Sequence, residues 1–355
     1  MARTYGPRRG GRRVRNRRYL TIAAVIAVAG LIYYFGFHSQ TPEVEPLSSI
    51  NNIPTNINIP GGNTTENPLT GVSSTEQTEL ETEESALENP VIIPEDFQFE
   101  PNPAANTLIA RAQTLLDENT NNIIAARDVL DQAMRMQISH QQRESIKQQL
   151  TELAEKWLFS RTVYPDDPLC ENYQVKPGEI LETISKNYLV PFEFIMERNN
   201  IARPELLPAG ARIKVVNGPF HVKIYRSSFT MDIYLQNSYV RTYRIGLGLA
   251  ESETPTGLWR VEQGEKMESP PWYDEYENRT YYPEDPDYPL GSRWIGLEGL
   301  EGNAKYRTGF AIHGTKVPEQ IGTVGSRGCI RMFNGDVIEV YDMLYPVESL
   351  VEVTD

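Results

Sequence analysis

The sequence predicts a multidomain protein that ends in a mainly β domain, β-sandwich-like with one short helix. A small βααβ domain and an α-helical module precede that domain. Three observations lead to this order. Apolar residues first recur at helical spacing, then two short helical stretches lie between strand-like ends, and from Phe220 onward apolar and polar residues alternate.

The N-terminus predicts a membrane anchor. Residues 1–18 contain eight arginines and no acidic residue, and residues 19–37 follow without a charge, about the length that a helix needs to cross a bilayer. Because basic flanks stay inside, residues 1–18 are predicted to form a cytoplasmic tail. We expect a single pass through the inner membrane, with the remainder in the periplasm or cell-wall space. A cleaved signal peptide is the alternative.

The composition predicts a disordered linker after the anchor and argues against nucleic acid as a partner. Residues 38–103 are rich in Asn, Thr, Pro and Glu, which is typical of a disordered linker. The chain has a net charge of −14, so the part beyond the eight N-terminal arginines carries about −22. With no basic surface left to neutralise phosphates, nucleic-acid binding is not expected.

Residues 104–162 show helical periodicity and are predicted to form an antiparallel helical module. Its apolar faces contain Leu108, Ala112 and Leu115, then Ile123, Ala126, Leu130 and Ala133, then Ile146, Leu150, Leu153 and Trp157. The module resembles a tetratricopeptide-like hairpin and is too short for a repeat array. It is interpreted as a spacer or support, with a groove for a protein partner as the alternative.

Residues 172–217 predict a strand, two short helices and a second strand. The segment resembles a LysM domain through Tyr173, Val175, Pro177-Gly178, Leu181, Ile184, Asn199-Asn200, Leu207-Pro208, Gly210 and Ile213. That resemblance implies binding of glycans that contain N-acetylglucosamine, such as peptidoglycan. The sugar is then expected in a shallow groove lined by Gly178, Glu179, Leu181, Asn200 and Ile201.

Residues 219–355 carry the predicted chemistry in the stretch SRGCIRM, whose cysteine is Cys329. A buried inert thiol, a disulfide with Cys170 and a catalytic nucleophile are the three interpretations. A catalytic thiol requires a base or a cation nearby, because few thiols are ionised at neutral pH. Of the four histidines only His313 lies at a predicted strand end before a glycine, sixteen residues before Cys329. Gly328 leaves the backbone open, so the amides of Gly328 and Cys329 are candidate oxyanion donors.

This arrangement resembles the L,D-transpeptidase catalytic domain of the YkuD type, through His313-Gly314-Thr315 and Ser326-x-Gly328-Cys329-Ile330-Arg331-Met332. The stretches Thr254–Gly257 and PLGSRWIGLEG upstream support the resemblance. It implies that Cys329 is the nucleophile, His313 its base and the carbonyl of Gly314 the third element. The oxyanion and substrate residues are then Gly328, Ser326, Arg327, Arg331 and Thr315, with Arg331 the candidate for a substrate carboxylate. Many members have histidine where this chain has Arg327.

The resemblance also implies the reaction. The thiolate attacks a tetrapeptide stem of peptidoglycan at the third residue, releases D-alanine and passes the acyl group to an amine, which gives a 3–3 cross-link. Water as acceptor makes a carboxypeptidase, and a protein lysine makes an enzyme that attaches proteins to the wall. Carbapenems are expected to acylate the cysteine. No metal or organic cofactor is implied, and an inactive peptidoglycan-binding scaffold is the non-enzymatic alternative.

The segment between Lys266 and Gly291 is crowded with Trp, Tyr, Pro and acidic residues. Such a loop, placed before the cysteine motif, is predicted to cover the substrate cleft. Its aromatic rings suit sugar and peptide faces, and its acids suit the ammonium group of an acceptor. An ordinary long surface loop is the alternative.

Overall fold

The computed structural model describes residues 99–355. The predicted basic tail, membrane span and almost the whole linker lie outside the described residues. Between residues 99 and 355, no helix has both the length and the apolar character needed to span a bilayer.

Within residues 99–355, six helices and fourteen strands follow one another in chain order. The helices are α1 (Pro103–Glu118), α2 (Ile123–Met134), α3 (His140–Trp157), α4 (Leu181–Tyr188), α5 (Phe192–Asn199) and α6 (Asn334–Met343). The first seven strands are β1 (Cys170–Gln174), β2 (Arg212–Val216), β3 (Phe220–Tyr225), β4 (Thr230–Leu235), β5 (Ser238–Arg244), β6 (Leu247–Gly248) and β7 (Gly257–Glu268). The others are β8 (Trp272–Asp274), β9 (Arg279–Tyr281), β10 (Arg293–Gly299), β11 (Phe310–His313), β12 (Val324–Ser326), β13 (Ile330–Arg331) and β14 (Leu350–Thr354).

The helical module consists of α1, α2 and α3, as the periodicity predicts. The Asn102 side chain caps α1 by accepting from the N–H of Ala104, and Ser139 with Gln142 forms a capping box at the start of α3. Most of the predicted apolar positions are fully buried, while Leu108 and Leu115 pack at the margin of the core. The caps satisfy backbone donors that would otherwise be unpaired at the helix starts.

The βααβ arrangement predicted for the LysM domain is confirmed. Strands β1 and β2 pair antiparallel, with Tyr173 opposite Ile213. Helices α4 and α5 each end at a residue in the left-handed conformation, Leu189 and Asn200. A small separate core lies between the strand pair and the helices, and consists of Val175, Leu181, Ile184, Ile195, Ile213 and Val215.

The C-terminal domain is mainly β, as predicted, but its strands form one eight-stranded sheet. The order is β13-β11-β10-β7-β14-β3-β4-β5, with parallel pairs at β11–β13 and β3–β14. Two residues beyond β5, the backbone of Gly246 exchanges two hydrogen bonds of 2.8 Å with Arg331 of β13. The two sheet edges therefore meet there. The predicted β-sandwich-like form is thus a curled sheet, because the strand twist closes it on itself instead of stacking two sheets.

Buried polar pairs join the helical module to its neighbours. The Nζ of Lys147 on α3 lies 2.8 Å from the Asp232 carboxylate of β4, whose side chain is fully buried. On the LysM side, Lys214 of β2 donates to the carbonyls of Ser160 (2.9 Å) and Thr162 (2.8 Å), just after α3. Because a buried charge is costly without its partner, these contacts tie the module to both domains.

Candidate active site

The candidate nucleophile and base lie at the ends of two neighbouring parallel strands. Register pairs Ile312 with Ile330 and His313 with Arg331. Since side chains alternate along a strand, His313 and Arg331 share a face, opposite the buried Ile312 and Ile330. Cys329 directly precedes β13, and the N–H of Ala311 on β11 and the charge of Arg331 act on its sulfur. The register therefore places His313 beside Arg331, with Cys329 next to Arg331's strand.

The imidazole of His313 is buried and held by main-chain carbonyls. Its Nδ1 lies 2.6 Å from the carbonyl oxygen of Gly314, which can only accept a hydrogen bond. Nδ1 therefore carries the proton and Nε2 keeps its lone pair. Burial and the nearby charge of Arg331 lower the pKa of His313 to about 4, although the carbonyls of Gly314 and Leu290 favour the protonated ring. At neutral pH the ring is thus an uncharged base.

Cys329 is a free, partly exposed cysteine. Its Sγ lies 4.0 Å from the carbonyl oxygen of Gly309. Burial of the sulfur raises the pKa of the Cys329 thiol, while the N–H of Ala311 and the charge of Arg331 oppose that rise. Thiol and imidazole are therefore both neutral near pH 7. Attack by such a sulfur would require a base to take the thiol proton.

Arg331 places a positive charge beside the sulfur. Its Nη1 donates to the Gln320 side chain and, at 3.0 Å, to the carbonyl of Gly325. Among the ion pairs of residues 99–355 none includes Arg331, and its buried Nε makes no hydrogen bond there. An arginine held by neutral oxygens keeps its charge available to an anionic ligand.

Ser326 and Gly328 shape the cysteine turn, which differs in part from the prediction. The buried Ser326 hydroxyl donates to the Cys329 carbonyl at 2.6 Å and accepts from the N–H of Gly328 at 3.1 Å. The Gly328 amide is therefore already satisfied and is not a free oxyanion donor. The N–H of Cys329 makes no hydrogen bond within residues 99–355 and stays available. Gly328 itself has φ +113°, and a Cβ there would lie 2.6 Å from the Phe310 ring, so only glycine fits.

Thr315 and Arg327 both make contacts within the protein, and their predicted contact with substrate stays a prediction. Thr315 is buried, and its Oγ1 accepts from the N–H of Val317 at 3.0 Å, so it serves the local turn. The Nη1 of Arg327 lies 2.8 Å from both carboxylate oxygens of Asp274, and its guanidinium lies over the Tyr276 ring at 4.3 Å. Both partners belong to the β8–β9 hairpin, within the segment predicted to cover the cleft. Arg327 thus connects the hairpin to the cysteine turn.

The predicted sugar-binding residues of the LysM domain are only partly on its surface. Gly178 has φ +78° and open space around it, and Glu179 accepts from the Tyr173 hydroxyl at 2.8 Å. Asn200 is exposed and Ile201 is partly exposed. Leu181 is fully buried, so the prediction that its side chain lines the groove is wrong, because its methyl groups fill the domain core. The neighbouring Ile180 is 57% exposed instead.

Several residues around the site have no strong sequence signal. The buried Thr254 hydroxyl donates to the Gly328 carbonyl at 2.8 Å, and the Trp294 ring stacks on His313 with centroids 5.9 Å apart. The Ala311 backbone and the Asn334 amide also contact the site. Thr254 and Trp294 lie in stretches that supported the family resemblance, which was the available clue. A main-chain donor such as that of Ala311 and a single asparagine such as Asn334 leave no recognisable pattern in the sequence. Within residues 99–355 no cluster of His, Cys, Asp or Glu could hold a metal ion.

Comparison with known proteins identifies two domains. A family model described as the L,D-transpeptidase catalytic domain (YkuD) matches residues 219–353, and one for the LysM domain matches residues 173–216. YqjB of Bacillus subtilis, named as an L,D-transpeptidase, is 31% identical over 140 residues, which cover 39% of this chain and 73% of YqjB. The chain belongs to the L,D-transpeptidase family.

A further relative and a solved structure are similar to parts of this chain. YkuD of Bacillus licheniformis, also named as an L,D-transpeptidase, is 29% identical over 189 residues, 51% of this chain and 98% of that protein. Among solved structures, an L,D-transpeptidase from Mycobacterium tuberculosis has 15% identity and a TM-score of 0.31, over 41% of this chain and 63% of that one.

Proposed function

We propose that this L,D-transpeptidase family member cross-links peptidoglycan stem peptides through a thioester on Cys329. The observation that carries the proposal is that His313 and Arg331 lie side by side on adjacent parallel strands, with the partly exposed Cys329 directly before the second of these strands. Family membership supports an acyl transfer of this kind, and the LysM domain supports peptidoglycan as the polymer.

In the acylation half-reaction, Nε2 of His313 takes the thiol proton as Sγ attacks the carbonyl carbon of the third stem residue. The resulting oxyanion accepts from the free N–H of Cys329, and such a donor contributes roughly 10²–10³ in rate. The tetrahedral intermediate then expels the amine of D-alanine, which takes the proton from Nε2. The enzyme is left as a thioester with a neutral imidazole.

In the second half-reaction an acceptor amine attacks the thioester. Nε2 of His313 takes a proton from that amine, and the sulfur leaves and is reprotonated. The side-chain amine of another stem gives a 3–3 cross-link. The Gly314 carbonyl stabilises the imidazolium that forms in both halves, because it accepts from Nδ1. Arg331 is assigned to a carboxylate of the substrate.

The LysM domain is assigned to glycan strands of the same polymer, with Gly178, Glu179 and Asn200 near the sugar and Ile180 in place of Leu181. Holding the polymer raises the local concentration of stem peptides at the catalytic domain. An anchor at residues 19–37 and a location in the cell-wall space belong to the same proposal.

Incubation of the purified protein with tetrapeptide muropeptides tests the proposal. We expect release of D-alanine and a 3–3 linked dimer in mass spectra, and a carbapenem adduct on Cys329. Release of D-alanine with a tripeptide product alone would instead favour a carboxypeptidase. Transfer only to an added protein lysine would favour a wall-attachment enzyme. Absence of both the adduct and any product, with muropeptide binding retained, would leave an inactive scaffold.

A further inference from the structure

The side chain of Asn334, the first residue of α6, joins the two segments whose carbonyls face the His313 ring. Its Oδ1 accepts from the N–H of Ser292 at 3.1 Å and from the N–H of Thr315 at 3.3 Å, and its Nδ2 donates to the Thr315 carbonyl at 2.9 Å. The Ser292 hydroxyl also donates to the Asn334 carbonyl at 3.0 Å. One amide therefore holds both the 290–292 and the 313–315 segments.

The contact with Thr315 determines the direction of a carbonyl. A trans peptide is planar, so its N–H and C=O point in opposite directions. The N–H of Thr315, held by Asn334, and the carbonyl of Gly314, which accepts from Nδ1 of His313, belong to the same peptide unit. Fixing one end of this unit therefore directs the other end at the imidazole.

Gly291 and Gly314, which have no side chain, leave the space that the side-chain amide of Asn334 occupies. A Cβ on Gly291 or on Gly314 would lie 2.2 Å from Oδ1 of Asn334. Glycine also rotates its adjoining peptide units more freely than other residues. The Gly314 unit therefore needs an external restraint, and Asn334 supplies one.

We propose that Asn334 is a positioning residue that sets the tautomer of His313 by holding the Gly314–Thr315 peptide unit. A turned unit would present the Thr315 N–H to Nδ1, which would then have to accept, and the ring proton would move to Nε2. Such a ring cannot take the thiol proton. The proposal rests on the proposed role of His313 as the base for Cys329.

Ring ¹⁵N spectra of the full-length protein test this assignment directly. In the unsubstituted protein we expect the proton of His313 on Nδ1. In Asn334→Leu, which is similar in size but makes no hydrogen bond, we expect a substantial fraction on Nε2. Asn334→Asp keeps both acceptor contacts but loses the donor contact to the Thr315 carbonyl. Since the N–H of Thr315 is still held and the charge suits a helix start, most of the Nδ1–H form should persist.

Kinetics on tetrapeptide substrate supply the second readout. Asn334→Leu should lower kcat by roughly 100-fold with KM changed less than about threefold, because the base is lost and binding is not. Asn334→Asp should keep most of kcat. Asn237→Ala, in the exposed β4–β5 turn, is the matched control for loss of an asparagine and should change neither quantity.

An Asn334→Leu protein that keeps Nδ1–H and normal kcat would overturn the proposal. So would an Asn334→Ala protein that keeps both. If Asn334→Leu does not fold, Asn334→Ala and Asn334→Asp allow the same comparison. The spectra do not depend on turnover, so an unsubstituted protein without transpeptidase activity would count against the proposed function and leave the tautomer result standing.

Discussion

The two cysteines of this protein lie in surroundings that differ in access more than in charge. Cys170, at the start of β1, is 2% exposed, and its Sγ lies 3.8 Å from the carbonyl of Trp157 at the end of α3. Burial raises its thiol pKa to about 12, although Lys214 and Arg127 are close. Cys329 is partly exposed, and the charge of Arg331 opposes the rise in its thiol pKa that burial causes.

The comparison teaches that nearby cations do not make a thiol reactive. Around Cys170 the cations are occupied: Arg127 pairs with Asp167 at 2.9 Å, and Lys214 donates to carbonyls. Within the part of the chain that the structure describes, Arg331 forms no ion pair, the neutral imidazole of His313 lies beside Arg331, and the N–H of Cys329 makes no hydrogen bond. A nucleophile needs the base and the opening as well as the charge.

The largest effect is expected from removing each thiol in turn. Cys329→Ala should lower the rate of tetrapeptide turnover by at least about 10⁴-fold and abolish the carbapenem adduct, because no thioester can form. Cys170→Ala should leave turnover within about twofold. Turnover assays and intact-mass spectra of both variants check this. Loss of activity in Cys170→Ala, with the fold retained, would contradict the contrast between the two thiols.

The second largest effect is expected on the stability of the protein, from the buried ion pair near Cys170. Asp167→Ala leaves the buried Arg127 guanidinium without its buried partner, and should lower the free energy of unfolding by about 3 kcal/mol. Asp128→Ala removes the exposed partner of the same arginine and should lower the free energy of unfolding by less than about 1 kcal/mol. Urea unfolding measures both values. Equal costs would mean that burial does not distinguish the two pairs.

The pH dependence of acylation sharpens the comparison at Cys329. Because burial lowers the pKa of His313 to about 4, the ring stays a neutral base well below the usual histidine range. The rate of adduct formation should therefore change little between pH 7 and pH 5, and fall about tenfold per pH unit below about 4. Stopped-flow rates across this range provide the test. A decline centred near pH 6.5 would indicate a solvated ring, contrary to the buried geometry.

The smallest effect concerns the β8–β9 hairpin above the cysteine turn. Arg327→Ala removes the ion pair with Asp274. Since Arg327 is half-exposed, the free energy of unfolding should fall by less than about 1 kcal/mol. We expect KM for tetrapeptide to rise by up to about fivefold with kcat nearly unchanged. Arg279→Ala, in the same hairpin but paired with Asp287, is the control. A matching KM change in both variants would assign the effect to the hairpin as a whole.

Local patterns predicted much of this architecture. The helices of residues 103–157 and the βααβ order of the LysM domain follow from apolar spacing and from turn residues, which act over a few positions. The one short helix predicted in the C-terminal domain is observed as Asn334–Met343. The closure of the sheet was not predictable in this way, because the Gly246–Arg331 bridge joins residues that are distant in sequence.

The sequence by itself therefore determined the order and type of the domains, and it singled out Cys329 and His313 by their residue types and flanking glycines. The tertiary structure alone decided which groups stay free beside them. Whether the Gly328 or the Cys329 amide is open, whether Arg327 faces a substrate or Asp274, and which carbonyls face the imidazole all depend on register and packing. Those contacts join residues far apart in the chain, and no local periodicity records them.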